Sequence, residues 1–152
     1  MFMQGTLKPQ DRWKIGIVTA RFNSEITEAL ETGAFERLVE LGVKAERIIR
    51  VRVPGAVEIP LAADLLLDRE CDGIIALGAV IQGDTKHFDY VCNSVERGCT
   101  QVMLEHKKPV VFGVLTTNDE SQAKERIGGS HGHKGRDAAD VVVEMLNLLE
   151  LI

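Results

Sequence analysis

The residues best suited to chemistry stand close together in one short segment and are Gly83, Asp84, Thr85 and His87. An imidazole can both accept and release a proton near neutral pH, so His87 is a candidate acid–base group. An apolar run, Ile74 to Leu77, precedes the segment, as expected for a parallel strand that leads through a loop into a helix. Ligands bind at the carboxyl ends of the strands in α/β sheets, which predicts a functional site in this loop.

The stretch Gly78 to Lys86, GAVIQGDTK, is close to the phosphate-binding loop of nucleotide triphosphatases. Gly78 and Gly83 have the required separation, but Asp84 stands where that loop needs a lysine to pair with the phosphates. A carboxylate there would repel a triphosphate, which argues against this class of enzyme. The loop is still compatible with a ligand that carries a single phosphate. Backbone N–H groups, the Thr85 hydroxyl, the start of the following helix and an arginine from elsewhere could bind it.

A second glycine-rich stretch, Gly128 to Gly132, matches the G-x-S-x-G pattern of serine hydrolases. That pattern works on a sharp turn from strand to helix, whereas here a helix is predicted to precede it. His131 and His133 form an H-x-H pair, but no nearby Cys or acidic turn residue supplies a third metal ligand. The stretch therefore predicts a polar loop rather than a nucleophile or a metal site.

Composition limits the class of protein. A chain of 152 residues with 45% hydrophobic content fits one compact domain. The formal charge of -5 argues against sequence-independent binding of nucleic acid. The three cysteines form no C-x-x-C pair, which indicates reduced thiols, and no apolar run has the length of a membrane span or a secretory leader. We expect a soluble cytoplasmic protein without membrane or nucleic-acid partners.

Strand and helix patterns alternate along the chain after an extended arm at residues 1–13. Four runs rich in β-branched residues predict strands, with a polar turn directly after Leu77: Ile15 to Ala20, Arg47 to Val53, Ile74 to Leu77 and Pro109 to Thr116. Apolar residues at helical spacing predict a first helix that Asn23 or Ser24 caps and Gly42 stops. The same spacing predicts further helices from Val57 to Glu70, Phe88 to Met103, Asn118 to Ile127 and Arg136 to the end. This order predicts a three-layer α/β/α sandwich with a four-stranded parallel sheet, in a single domain over residues 14–152.

Two residues become stronger site candidates through this architecture. Alone, His87 is compatible with a solvated residue in a first helical turn, and Phe22 with a core residue. If the strand order is 2-1-3-4, the loops after strands one and three flank one crevice, which brings Phe22 and His87 together.

Five motifs stand in the order, and nearly the spacing, of one enzyme family: Arg21-Phe22-Asn23, Val53 to Pro60, Gly78 to Phe88, Phe112 to Thr116 and Gly132 to Gly135. In them the chain resembles the 6,7-dimethyl-8-ribityllumazine synthase family over essentially its whole length after the arm. The resemblance implies a flavodoxin-like fold. It also implies condensation of 5-amino-6-(D-ribitylamino)uracil with 3,4-dihydroxy-2-butanone 4-phosphate, the penultimate step of riboflavin biosynthesis, without a metal or organic cofactor.

The resemblance also implies roles for individual residues, with His87 moving protons. The residues implied to bind the ribitylaminouracil are Phe22, Asn23, Ala56, Val57, Glu58, Ala79, Val80, Ile81, Phe112 and Lys134. Those implied to hold the butanone phosphate are Asp84, Thr85 and Arg126. The chain departs from the family pattern at Val57, where an aromatic residue is usual, and at His133, where an asparagine is usual.

Assembly and partners are further expectations of the resemblance. Members of the family form pentamers with each site between neighbours, so Phe112, Arg126 and Lys134 are expected to come from the adjacent subunit. Many members stack twelve pentamers into a sixty-subunit icosahedral shell, and the short connection from Gly128 to Lys134 favours that shell. Association with riboflavin synthase is a related expectation.

Three alternatives keep the same fold. A flavodoxin-like module would bind flavin tightly without turnover. A shell-forming relative would assemble without activity, although the intact His87 and Arg126 argue against this. An archaeal-type riboflavin synthase would make riboflavin instead of the lumazine.

Overall fold

The computed structural model describes residues 1–152, in which five α-helices alternate with the strands of a central sheet. The strands of that sheet are β1 (Ile15–Ala20), β2 (Ile48–Val53), β3 (Gly73–Ile81) and β4 (Val110–Thr117). The helices are α1 (Ser24–Leu41), α2 (Ile59–Arg69), α3 (His87–His106), α4 (Glu120–Lys124) and α5 (Lys134–Leu151). Two further strands, β5 (Ile127–Gly129) and β6 (Gly132–His133), form a separate hairpin.

The central sheet is parallel and has the order β2-β1-β3-β4, which confirms the predicted topology. Residues of β1 alternate between two cores: Ile15 and Ile17 pack beneath α1 and α5, whereas Val18 and Ala20 pack beneath α2 and α3. All six residues of β1 are buried, as expected for a strand covered by helices on both faces. The three-layer α/β/α architecture follows from this double burial.

Strand β3 is longer than the sequence predicted. The expected turn after Leu77 is wrong, because the strand continues to Ile81 and pairs with β4 as far as Ile81↔Thr117. Its partner on the other side ends earlier, since the last register pair with β1 is Thr19↔Leu77. Residues 79–81 therefore extend past β1, and the site loop shrinks to the five residues between Ile81 and His87.

The start of α1 differs from the predicted cap. Asn23 occupies the N-cap position in a left-handed conformation (φ 63°), which asparagine tolerates better than most residues. Its side chain caps nothing in the helix; instead its Nδ2 donates a hydrogen bond of 2.8 Å to the carbonyl oxygen of Ala79. The loop after β1 is thereby tied to the projecting end of β3.

The segment after β4 contains a hairpin that the sequence pattern did not reveal. The helix predicted from Asn118 to Ile127 is confined to α4, and the next residues turn back as the antiparallel pair β5–β6. Gly128 and Gly132 adopt positive φ values, 107° and 75°, which permit this tight reversal. Helix α5 then begins at Lys134, two residues earlier than predicted, with His133 as its N-cap.

Other boundaries shift by smaller amounts. Arg47, which was predicted to begin the second strand, belongs instead to a 3₁₀ turn, Ala45–Arg47. Another 3₁₀ turn, Ala56–Glu58, precedes α2 at its predicted start. The segment 1–13 has no helix or strand and lies along α5, where Asn147 Nδ2 donates to the carbonyl oxygens of Thr6 and Lys8. None of the helices combines the length and apolar character that crossing a bilayer requires.

Two of the cysteines belong to the core. Cys71 and Cys99 are free and buried in the layer under α2 and α3. Burial raises the pKa of the Cys71 thiol to about 11 and that of Cys99 to about 12. Both therefore stay protonated near neutral pH, as expected for packing residues rather than nucleophiles.

The junction of α1 and α5 leads to a stability prediction. A β-carbon on Gly135 would overlap the carbonyl oxygen of Leu30, so the helices approach more closely there than any larger residue allows. We expect Gly135→Ala to lower the free energy of unfolding by about 1–3 kcal/mol, the usual cost of overpacking, in urea titrations. Gly83→Ala is the matched control, because nothing lies within 4 Å of its β-carbon position. Equal midpoints for both variants would contradict a steric constraint at Gly135.

Candidate functional site

A cleft of about 410 Å³ lies at the carboxyl ends of β1 and β3. This is the crevice that the strand order 2-1-3-4 predicted, and its size is typical of small-molecule sites. Its walls come from the loops after β1, β2 and β3 and from the first turn of α3. The lining residues are Ala20, Phe22, Gly55, Ala56, Val57, Glu58, Ala79, Val80, Ile81, Gly83, Thr85, His87, Phe88 and Val91.

Phe22 forms one wall of the cleft and is not a core residue. Its ring is 73% exposed, although it follows a completely buried strand. The residues on both sides of it are held, because Arg21 N donates to Val53 O (2.8 Å) and the Asn23 side chain donates from Nδ2 to Ala79 O. An aromatic ring held on a rigid turn with a free face can stack against a planar ligand.

The opposite wall is the 3₁₀ turn that follows β2. Ala56 is buried against the core, whereas Val57 and Glu58 are exposed and line the cleft. Pro54 and Gly55 end β2 and turn the chain, and Glu58 N closes the turn by donating to Gly55 O. The turn thus offers an apolar contact at Val57 and a carboxylate at Glu58.

The floor of the cleft is the end of β3 that extends past β1. Its backbone groups point alternately to the two sides of the strand. The Ala79 carbonyl faces the β1 side, where it accepts from Asn23, and Gln82 N bonds to Thr117 on the β4 side. By this alternation the N–H and C=O of Ile81 also face the β1 side, where no strand pairs with them. The floor can therefore hydrogen-bond the edge of a ligand as an added strand would.

The loop between β3 and α3 supplies the remaining polar groups. Thr85 Oγ1 accepts a hydrogen bond of 3.3 Å from His87 N, which fixes the first turn of the 20-residue helix α3. Gly83, Asp84 and Thr85 are all exposed beside this helix start, where free N–H groups favour an anion. The His87 imidazole lines the cleft and makes no hydrogen bond or ion pair within the chain, so it is free to meet a substrate.

Several predicted residues do not line the cleft of this chain. Asn23 is committed to Ala79, Asp84 lies on the loop outside the lining, and Phe112 packs against the core under α2 and α3. Arg126 Nη1 donates to Gln122 O (2.7 Å), and Lys134 N donates to Arg126 O (2.8 Å). The hairpin therefore brings Arg126 and Lys134 together with each other but not with His87.

Sequence reasoning missed four residues of the lining. Ala20 and Gly55 mark the ends of predicted strands, so the expectation of ligands at strand ends could have included them. Phe88 and Val91 belong to the apolar spacing that predicted α3; they pack against the core and also face the cleft. Their position in the first turn after the site loop was the available signal.

The second glycine-rich stretch has no site geometry of its own. Ser130 lies in the β5–β6 turn, not on a strand-to-helix elbow, and its Oγ contacts the adjacent His131 Nδ1. The two histidines have separate roles, since His131 lies 3.4 Å from Glu125 and His133 caps α5. Nowhere do three His, Cys, Asp or Glu side chains form an arrangement that could hold a metal ion.

Comparison with known proteins gives a consistent family. The family model described as 6,7-dimethyl-8-ribityllumazine synthase matches residues 12–150. A protein of that name from Bdellovibrio bacteriovorus is 55% identical over 139 residues, covering 91% of this chain and 76% of the relative. Another from Coxiella burnetii is 48% identical over 144 residues, 94% of this chain and 95% of the relative. A third from Cytophaga hutchinsonii is 50% identical over 132 residues, covering 86% of this chain and 83% of the relative.

These matches bear directly on the predicted identity. They confirm the resemblance inferred from the five motifs and the enzyme class that it implied. The flavin-binding module, the inactive shell protein and the archaeal-type riboflavin synthase are not favoured, since the relatives carry the name of the lumazine synthase. With a family model covering nearly all of its length and relatives at about half identity, the chain belongs to the 6,7-dimethyl-8-ribityllumazine synthase family.

Proposed function

We propose that this chain catalyses the condensation of 5-amino-6-(D-ribitylamino)uracil with 3,4-dihydroxy-2-butanone 4-phosphate in riboflavin biosynthesis. The products are 6,7-dimethyl-8-ribityllumazine, phosphate and water. The strongest support is that one cleft combines an exposed aromatic ring, an unpaired strand edge, a helix start and a free imidazole. Each of these suits a different part of the two substrates.

The pyrimidine and its side chain fit the inner part of the cleft. Phe22 stacks on the planar ring, and the strand end from Ala79 to Ile81 lies along its polar edge, where the unpaired backbone groups of Ile81 hydrogen-bond as an added strand would. The ribityl chain then lies along Ala56, Val57 and Glu58, where the Glu58 carboxylate accepts from sugar hydroxyls. Val57 offers less surface than the aromatic residue usual in the family, so this contact is smaller here.

The phosphate of the second substrate fits the loop before α3. Backbone N–H groups of Asp84 and Thr85, the Thr85 hydroxyl and the start of α3 favour an anion there. Neutralising a phosphate also calls for a cation, and Arg126 suits it because a guanidinium binds phosphate through two parallel hydrogen bonds. Arg126 does not line the cleft of its own chain, so we assign this role to Arg126 of a neighbouring subunit.

Most steps of the reaction require the transfer of a proton. The 5-amino group of the pyrimidine attacks the ketone, and the first water leaves to give an imine. Elimination of phosphate gives an enol that tautomerises to a new ketone, and the ribityl-bearing amine attacks this ketone and closes the ring with loss of a second water. His87 takes and returns protons during these steps from its position beside the phosphate loop. Holding both reactants in one cleft supplies the remaining acceleration by removing their translational freedom.

We further propose a homo-oligomer with the site at the subunit interface. It is supported by the separation of Phe112, Arg126 and Lys134 from the cleft and by the exposure of Phe22. A pentamer is the expected unit, and the short hairpin turn favours stacking into an icosahedral shell that associates with riboflavin synthase. Sedimentation distinguishes these sizes. The cytoplasmic location predicted from the sequence stays a prediction.

His87→Ala should lower the rate of lumazine formation by on the order of 10-fold to 1,000-fold, because a positioned acid–base group is lost. The loss is limited because these reactive substrates also condense spontaneously. Lumazine fluorescence measured across the pH range gives the rate. His106→Ala, at the other end of α3, is the control for general effects on the helix. An unchanged pH–rate profile in His87→Ala would remove His87 from proton transfer.

Phe22→Ala should weaken binding of a ribitylaminouracil analogue by about 1–3 kcal/mol, the range for stacking of bases on aromatic side chains. Phe22→Tyr keeps a stacking ring and is expected to bind nearly as well as the wild type. Isothermal calorimetry measures all three proteins. Equal affinity of the alanine variant and the wild type would show that Phe22 does not contact the pyrimidine.

Arg126→Ala should chiefly raise the Michaelis constant for the butanone phosphate, since a bidentate charge contact is lost. Co-assembly with His87→Ala chains tests where Arg126 acts. With equal amounts of both, about one quarter of shared sites would combine an intact Arg126 and an intact His87 from different chains and recover activity.

A second mixture provides the control for that experiment. Phe22→Ala and His87→Ala remove two residues from the cleft of one chain, so mixing them should recover nothing. If the first mixture also never exceeds the activity of its separate components, Arg126 and His87 act in the same subunit and the shared site is wrong.

A further inference from the structure

His133 occupies the point where the β5–β6 hairpin meets α5. It is the last residue of β6 and the N-cap of α5, and its Nδ1 accepts a hydrogen bond of 3.2 Å from Arg136 N. The ring is wedged against α1, since a β-carbon on Gly33 would lie 2.6 Å from Nε2 and 2.8 Å from Nδ1. The imidazole thus links the hairpin, α5 and α1.

This cap depends on the protonation state of the ring. A neutral imidazole has one nitrogen that accepts a hydrogen bond, whereas an imidazolium donates from both nitrogens and cannot accept from Arg136 N. Burial, and then the positive charge of Arg136, lower the pKa of His133. The folded protein therefore favours the neutral ring. Its stability relative to the unfolded chain decreases as the pH falls below the ordinary histidine pKa of about 6.5.

The charged groups around His133 support the same direction. On α5, Arg136 opposes protonation and Asp137 favours it weakly. On α1, the residues against the ring are Gly33 and the backbone of Ala29. The charged side chains of that helix near the junction are Glu36, Arg37 and Glu40, of which Glu40 accepts from Arg136 and Arg37 donates to Asp140. On the hairpin side, Glu125 lies beside Arg126 and His131. No carboxylate is thus paired with the His133 ring.

The same junction holds Arg126, which the proposed function assigns to the phosphate site. Lys134 directly follows His133, and its N–H bonds to Arg126 O (2.8 Å), while Ile127 pairs with His133 across the hairpin. A change in the His133 cap therefore reaches Arg126 and Lys134 through one backbone hydrogen bond and one strand pair.

We propose that His133 is a pH-sensitive positioning residue: its neutral ring holds Arg126 in the orientation that binds the phosphate substrate, and its protonation releases Arg126. The inference rests on the proposed function for the role of Arg126. His133 contacts no substrate itself. Acidification then weakens phosphate binding separately from any titration of His87.

Three proteins test this inference. His133→Asn keeps a side chain that caps helices but does not titrate, whereas His133→Ala removes the cap. Between roughly pH 5 and 8, the wild-type Michaelis constant for the butanone phosphate should rise on acidification about threefold to tenfold more than that of His133→Asn. His133→Ala should show a raised constant at every pH. The rate at saturation, which reports His87, should keep the same pH dependence in the wild type and His133→Asn.

Hydrogen exchange at the Arg136 amide separates this inference from the proposed function. In assembled protein without substrate, its protection should fall on acidification in the wild type but not in His133→Asn, after correction for intrinsic exchange. Binding of inorganic phosphate should follow the same pattern. If no lumazine forms, the proposed function fails, yet these two measurements still decide the inference. The inference is overturned if hydrogen exchange has the same pH dependence in the wild type and His133→Asn. It is also overturned if phosphate binding and the Michaelis constant both have the same pH dependence in these two proteins.

Discussion

The site depends on the unequal lengths of two neighbouring strands. Strand β3 pairs with β4 up to Ile81, but its register with β1 ends at Leu77. The difference leaves a short strand edge without a strand partner, at the place where the chain leaves β1 through Phe22. One hydrogen bond from Asn23 covers part of this edge and fixes the aromatic turn above it. A longer β1 would fill the same space with its own backbone and leave no cleft.

The sequence predicted those parts of the structure that local patterns determine. Apolar β-branched runs identified all four strands of the sheet, and the polar segment with Thr85 and His87 marked the loop that lines the cleft. The length of β3 escaped prediction because Gly78 is typical of a turn, whereas pairing with β4 continues through it. The β5–β6 hairpin was missed because it is set by two glycine conformations over very few residues.

Roles that depend on distant residues could not come from pattern alone. Asn23 seemed suited to cap a helix, since only the three-dimensional structure shows a carbonyl of β3 within its reach. Arg126 and Lys134 were named through resemblance to the family, and a single chain brings them to each other without bringing them to His87. Their separation supports the proposed assembly, because the phosphate of the proposed substrate calls for a cation and no Lys or Arg lines the cleft of this chain.

The amide of Asn23 also determines how the site ages chemically. Asparagine side chains hydrolyse slowly to carboxylates, and asparagine counts among the thermolabile residues. In this position hydrolysis would replace the Nδ2 donor with an oxygen that faces the carbonyl oxygen of Ala79, so an attraction would become a repulsion. The turn carrying Phe22 would lose its attachment to β3 without any change elsewhere in the fold. The proposed pyrimidine-binding wall therefore depends on one amide as well as on the stability of the domain.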